Sequence, residues 1–260
     1  MTDFWEEMHQ KLEYLHGTPV LVPHANPSSR NEDTLTFLTN CESDSFLDFV
    51  EYIFRVDSFW RVHDKQGLVD QINRFFDIDG LPYFLTDYLE VSEVGSHHGY
   101  PATTIRVAAY PQVAMKEHGV THAQAITPVL SLLSDPRFAA ANAEFLDALH
   151  DYRHRDFGDC LTKCCSSFES VMKVLCDQNG WPYKQTDTAS TLVDTVVKNT
   201  GLDSFFTQPL MLVATMRNRL SKAHGAGLVL KDVPQHVAQF AVTTSAASIL
   251  LLVNAAQNSP

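Results

Sequence analysis

The chain has 260 residues, 45% of them apolar and 19% charged, and a formal net charge of −12. That composition excludes a disordered chain and leaves room for one large packed domain or two smaller ones. Taken whole, −12 argues against a nucleic-acid partner, because phosphate contacts need Lys and Arg. Its distribution argues otherwise. Residues 1–120 carry 8 basic against 19 acidic side chains, and residues 121–260 carry 11 against 12. Beyond Asp203 the remaining acid is Asp232, set against Arg217, Arg219, Lys222 and Lys231.

In chain order, residues 3–16 place Phe4, Met8, Leu12 and Leu15 at helical spacing. The acidic start lacks the basic and apolar regions of a signal peptide. Residues 19–33, rich in Pro, Asn and Ser, read as a loop. Ser43 suits the N-cap of a helix carrying Phe46, Leu47, Val50 and Phe54. A third helix is expected over residues 66–76, ending before Asp77-Ile78-Asp79-Gly80. Residues 82–85 and 88–94 flank Thr86-Asp87 as a hairpin, residues 103–109 form a further strand, and residues 97–101 form its loop.

From there the pattern is helical: residues 122–133, 137–154, 158–178, 188–200, 208–223 and 234–256. Asn179-Gly180 is a stop signal and Pro234 a start. The expected fold is thus α+β and predominantly α. A small mixed α/β domain over residues 1–115 precedes an all-α helical bundle over residues 116–260.

Four of the five cysteines (Cys41, Cys160, Cys164, Cys165 and Cys176) fall in one helical stretch. They read as small core hydrophobes in a reduced cytoplasm rather than as a disulfide framework. Residues 237–256 are uncharged for 20 positions, but interspersed polar residues and the lack of basic anchors favour a core helix over a membrane span. The pairs His118/His122 and His150/His154 have the i,i+4 spacing of metal ligands. Gly119 interrupts the first as a regular helix, and the second lacks the glutamate of the HExxH pattern, so both read as solvated surface. No cofactor motif is present.

The most informative stretch is Met216-Arg217-Asn218-Arg219-Leu220-Ser221-Lys222-Ala223-His224-Gly225. Seven residues turn a helix by about 700°, so Arg217 and His224 would share a face roughly 10.5 Å apart along the axis. Arg219 and Lys222 point elsewhere and suit general basicity or solvation. The same pair also suits an ordinary helix end, where cations and a following Gly are favoured.

This stretch resembles the R-x(4–6)-H signature of the HEPN superfamily, with the polar residue that often follows the Arg at Asn218. Arg-Asn…His-Gly is similar to the C-terminal domain of abortive-infection proteins of the AbiJ type. Upstream, Phe168-Glu169-Ser170-Val171-Met172-Lys173, Asp135-Pro136-Arg137-Phe138, Ala148-Leu149 and Tyr152-Arg153 resemble further elements of that family. Thr39-Asn40-Cys41 with Phe46-Leu47-Asp48-Phe49-Val50-Glu51 is similar to its small N-terminal domain.

The resemblance implies a metal-independent endoribonuclease acting as a homodimer in antiphage defence, with an RNA substrate and a phage-derived trigger or regulatory partner. Catalysis falls to Arg217, His224 and Asn218, and substrate contacts to Arg219, Lys222, Glu169 and Lys173. Glu169 and Lys173 also form an i,i+4 pair in the favoured order, which a plain salt bridge explains equally well. Nucleotidyltransferase-controlled relatives carry a Tyr two residues after the His; here Ala226 occupies that place. The alternatives are a non-catalytic HEPN module binding RNA, a nucleotide or a protein partner, and a structural dimerisation domain beside a sensing N-terminal part.

Overall fold

The computed structural model describes residues 4–23, 29–97, 100–220 and 232–258. The fold is α+β and mostly α, in two compact units, Met1–Val113 and Ala114–Pro260.

In the first unit, α1 (Phe4–His16) buries Met8, His9 and Leu12. Residues 19–33 are not wholly loop, because α2 (Arg30–Asn40) starts inside them. The Ser29 hydroxyl accepts from the Glu32 N–H at 3.2 Å, satisfying one donor of the first turn. Asp33 is buried on α2. It accepts from the backbone N–H groups of Leu21 and Val22, each at 2.9 Å, and lies 2.9 Å from His9 Nε2. Burial pushes the Asp33 carboxyl up, but the His9 contact and the two backbone donors prevail and hold it below the ordinary carboxylate range. The connection into α2 is thereby tied to α1.

Helix α3 (Ser43–Tyr52) is capped at Glu42 without a side-chain hydrogen bond, so Ser43 is its first residue rather than its N-cap. Two short 3₁₀ turns follow, Ile53–Arg55 and Asp57–Arg61. Helix α4 (Lys65–Ile78) starts at Asp64, which accepts from the Gly67 N–H at 2.8 Å. It runs on past Phe76 to Ile78, and Gly80 takes the left-handed turn at φ 64°.

The expected hairpin around Thr86-Asp87 does not form. Strand β1 (Tyr83–Leu85) pairs with β4 (Val113–Met115), whereas β2 (Leu89–His97) pairs with β3 (Tyr100–Ala109). The cause is visible in the hydrogen bonds. The Asn73 amide takes both the N–H and the C=O of Leu85, at 2.6 and 2.9 Å, and the Thr86 N–H donates to Gln112 O at 2.9 Å. The backbone groups of Leu85 and the Thr86 N–H are thus taken by partners outside β2. The β2–β3 ladder is antiparallel, with Val91 opposite Arg106 and an ion pair between Glu93 and Arg106. Residues 97 and 100 belong to these strands, so most of the expected 97–101 loop is ladder; residues 98 and 99 lie outside the described residues.

The second unit opens with α5 (Gly119–Thr121), a π-helical turn (His122–Ile126) and α6 (Thr127–Leu133). Gly119 therefore begins a helix. The 3₁₀ turn Pro136–Phe138 leads into α7 (Ala139–Arg153), followed by α8 (Phe157–Asn179) and α9 (Ala189–Thr200). Helix α8 is the centre of the bundle. Cys160, Cys164, Phe168, Val171 and Leu175 form a buried stripe at helical spacing. It packs on α7, where the Ser167 hydroxyl donates to Ala141 O at 2.8 Å. Phe145 and Phe168 are fully enclosed, each contributing about 1.5–3 kcal/mol by burial. Gly180 ends α8 at φ 67°, and the Trp181 N–H returns to Cys176 O at 2.9 Å.

One helix was expected over residues 208–223. Instead α10 (Thr207–Leu210) stops at Met211, and α11 (Leu212–Leu220) follows. Helix α12 (Gln235–Gln257) buries Ala238, Ala241, Val242, Ser245, Ile249, Leu252 and Val253. It is long and apolar enough to cross a membrane, and 50% of its apolar window is buried inside the protein. It packs against α8.

Candidate functional site

Helix α11 carries Arg217, Asn218 and Arg219 and packs against α8. The described part of this helix ends at Leu220; Ser221, Lys222 and His224 lie outside the described residues. Val213, Ala214 and Met216 form its buried side. Arg217 is half-buried, and Asn218 and Arg219 are exposed.

The surroundings of Arg217 are built by α8. The Cys165 thiol is buried and donates to Glu169 Oε1 at 3.5 Å, one helical turn along. Burial, the Glu169 carboxylate and its hydrogen bond push this thiol up to about 12, against the opposing pull of the Arg217 guanidinium. Glu169 and Arg217 therefore act on one sulfur from two helices. Arg217 Nε is buried and has no hydrogen-bond partner among the described residues, an arrangement that costs free energy unless a further acceptor meets it.

Lys173 takes a different direction. Its ammonium donates to Gln185 O at 3.1 Å, and among the described residues no ion pair joins it to Glu169. The i,i+4 salt bridge is a correction to the sequence reading, because the backbone carbonyl of the segment after α8 claims the lysine instead. Cys165 is the residue that sequence reasoning missed at this site. Its i,i+4 spacing to Glu169 was the available signal, hidden because Cys164-Cys165 reads as core packing. Both cysteines are indeed buried, as are Cys160 and Cys176.

The other candidates resolve as follows. Asp135 caps the turn before α7 and pairs with Arg137 at 2.6 Å, which holds its carboxyl down at about 2. The His150 and His154 rings lie 4.1 Å apart, and His154 Nδ1 is 2.9 Å from His150 O. Among the described residues no group of three His, Cys, Asp or Glu side chains is placed to hold a metal ion.

What remains is a half-buried guanidinium whose charge acts on the buried, un-ionised Cys165 thiol, with an exposed amide and a second arginine next along its helix. Such an arrangement can bind a phosphate oxygen.

No curated protein and no solved structure matches the chain. Residues 139–256 match the family model Abi_C, described as an HEPN-like domain. The stretch likened to an AbiJ-type N-terminal domain, residues 39–51, lies outside the matched segment. Over residues 139–256 the chain is thus similar to the HEPN-like domains that this family model describes.

Proposed function

We propose that this protein is a metal-independent endoribonuclease of HEPN type that serves antiphage abortive infection or toxin-type defence in the cytoplasm. The RNA 2′-OH attacks the adjacent phosphorus, so the protein need only move protons and stabilise phosphorane charge. Arg217 binds the non-bridging oxygens, Asn218 orients the phosphate, and His224 moves the proton at neutral pH. Arg219 and Lys222 contact flanking phosphates. The products are a 2′,3′-cyclic phosphate and a 5′-OH end, and two copies of the chain pair their Arg217–His224 sets in one cleft. Residues 1–113 receive the trigger.

The match of residues 139–256 to an HEPN-like domain carries this reading. The unmet Nε donor of Arg217 supports it, because a buried donor without a partner is costly unless a ligand supplies the acceptor. The competing reading is an HEPN module that binds RNA, a nucleotide or a protein without cutting, and it draws on the same unmet donor. Incubation of the purified protein with total RNA in EDTA separates the two. Cleavage that survives chelation and is lost in Arg217→Ala and His224→Ala supports the nuclease. RNA retained intact under every condition supports the binder.

A further inference from the structure

Helix α1 carries Glu7, Gln10, Lys11 and Tyr14 along one face, because positions three, four and seven apart stack on a helix. Within the first unit this face meets the junction Arg55-Val56-Asp57 between the two 3₁₀ turns, and the two sides form a groove of about 450 Å³ that opens to solvent. The junction is tied to α1, since the Ser58 N–H and hydroxyl donate to Glu7 Oε2 at 2.9 and 3.0 Å. Buried Val56 supplies an apolar patch, and the Tyr14 ring stands at the rim, 87% exposed.

The charges of the groove come in both signs. Lys11 and Arg55 are cations, and Glu7 and Asp57 are anions. Glu7 is engaged by Ser58. The Arg55 guanidinium stands over the rings of Tyr52 and Tyr110, 5.5 and 5.8 Å from their centroids, and lies 3.9 Å from Glu51. Lys11 and Asp57 differ from both. Among the described residues neither makes a hydrogen bond or an ion pair, although they line the same groove with opposite charge. A simple anion would meet Glu7 and Asp57 there, and a simple cation would meet Lys11 and Arg55. A ligand carrying both signs finds an opposite charge on each side.

We infer that this groove binds a small zwitterion, a free amino acid or a short peptide, with its carboxylate on Lys11, its ammonium on Asp57 and an apolar side chain against Val56 and the Tyr14 ring. The volume is that of a small-ligand site, about 300–1,000 Å³, and an amphipathic ring at the rim suits a ligand with an apolar body and charged ends. The inference stands apart from RNA cleavage, since every residue of the groove belongs to the first unit.

The test is a ¹H–¹⁵N titration of the full-length protein with four probes: phenylalanine, the dipeptide Ala-Phe, phenylalaninamide, which lacks the carboxylate, and N-acetylphenylalanine, which lacks the ammonium. Saturable shifts centred on residues 7–14 and 55–57 are expected with phenylalanine or the dipeptide, and the tighter of the two distinguishes an amino acid from a peptide. Each blocked analogue should bind at least tenfold more weakly. Lys11→Met and Asp57→Asn, both at exposed positions, should each weaken the zwitterion at least tenfold, with a thermal melt confirming that the variants are folded. No saturable binding of either zwitterion, equal binding of a blocked analogue, or unchanged binding in folded Lys11→Met or Asp57→Asn would overturn the inference.

Discussion

Asp151 gives a test of the electrostatics at the α7–α8 turn. Its carboxyl is pushed up to about 6 by burial, reinforced by the carboxylates of Asp159, Asp156 and Asp147 and opposed by Lys163. His150 Nδ1, 3.7 Å away, adds a weak opposing contact when protonated. Because the folded-state value lies above the unfolded one, the fold favours the protonated form. Stability contributed by Asp151 is therefore present below the ordinary carboxylate value and is lost as pH rises towards 6 and beyond. A displacement from 3.8 to about 6 corresponds to at most ~3 kcal/mol. Solvent screening at a side chain retaining 22% exposure reduces this to about 1 kcal/mol. Asp151→Asn removes the ionisation with little change in shape. Thermal melts of both proteins at pH 4 and pH 7 should agree at the acid end and differ by roughly 2–4 °C at neutrality, the variant being higher. A variant that melts lower than the parent at pH 7, or an advantage of equal size at both pH values, would refute the reasoning.

Four further outcomes are expected. Phe168→Ala should cost about 3–5 kcal/mol, seen as a lower urea midpoint, because Phe168 is fully enclosed on the bundle's central helix. Gly180→Ala should cost roughly 1 kcal/mol in the same assay, since a Cβ is disfavoured at φ 67°. With a thiol reagent at pH 8, the native protein should label rapidly at the half-buried Cys41 only. Cys160, Cys164, Cys165 and Cys176 are buried, with Cys165 held at about 12 and Cys176 at about 11, so they should react only after unfolding. Arg217→Ala should leave the melting temperature within a few degrees, because the change removes a buried donor that already lacks a partner.

Much of the helical half was legible from residue spacing. The stripe Cys160–Cys164–Phe168–Val171–Leu175 and the small-residue face of α12 are periodic over many turns, and such patterns fix an element before its partners are known. Helix α2 escaped because its own residues are polar. Its start was nonetheless written as Ser29-x-x-Glu32, the order of a capping box, and the Ser29 half of that box is seen. The hairpin failed for a different reason. Which strand Leu85 joins depends on Asn73 and Gln112, far away in sequence, and no local turn signal reports them. The Arg217 neighbourhood is non-local in the same way. Its spacing to His224 could be read directly, but its neighbours Cys165 and Glu169 lie on another helix and emerge only when α11 packs on α8.

The central claim is that Arg217 and His224 cut RNA without a metal. The most direct measurement is the chemistry of the ends produced from a defined RNA in EDTA by the parent protein, Arg217→Ala and His224→Ala. The account predicts 2′,3′-cyclic phosphate and 5′-OH ends from the parent, with cleavage reduced at least 100-fold in each variant. Intact RNA from the parent once its trigger is supplied, activity that disappears on chelation, or full activity in either variant would contradict it.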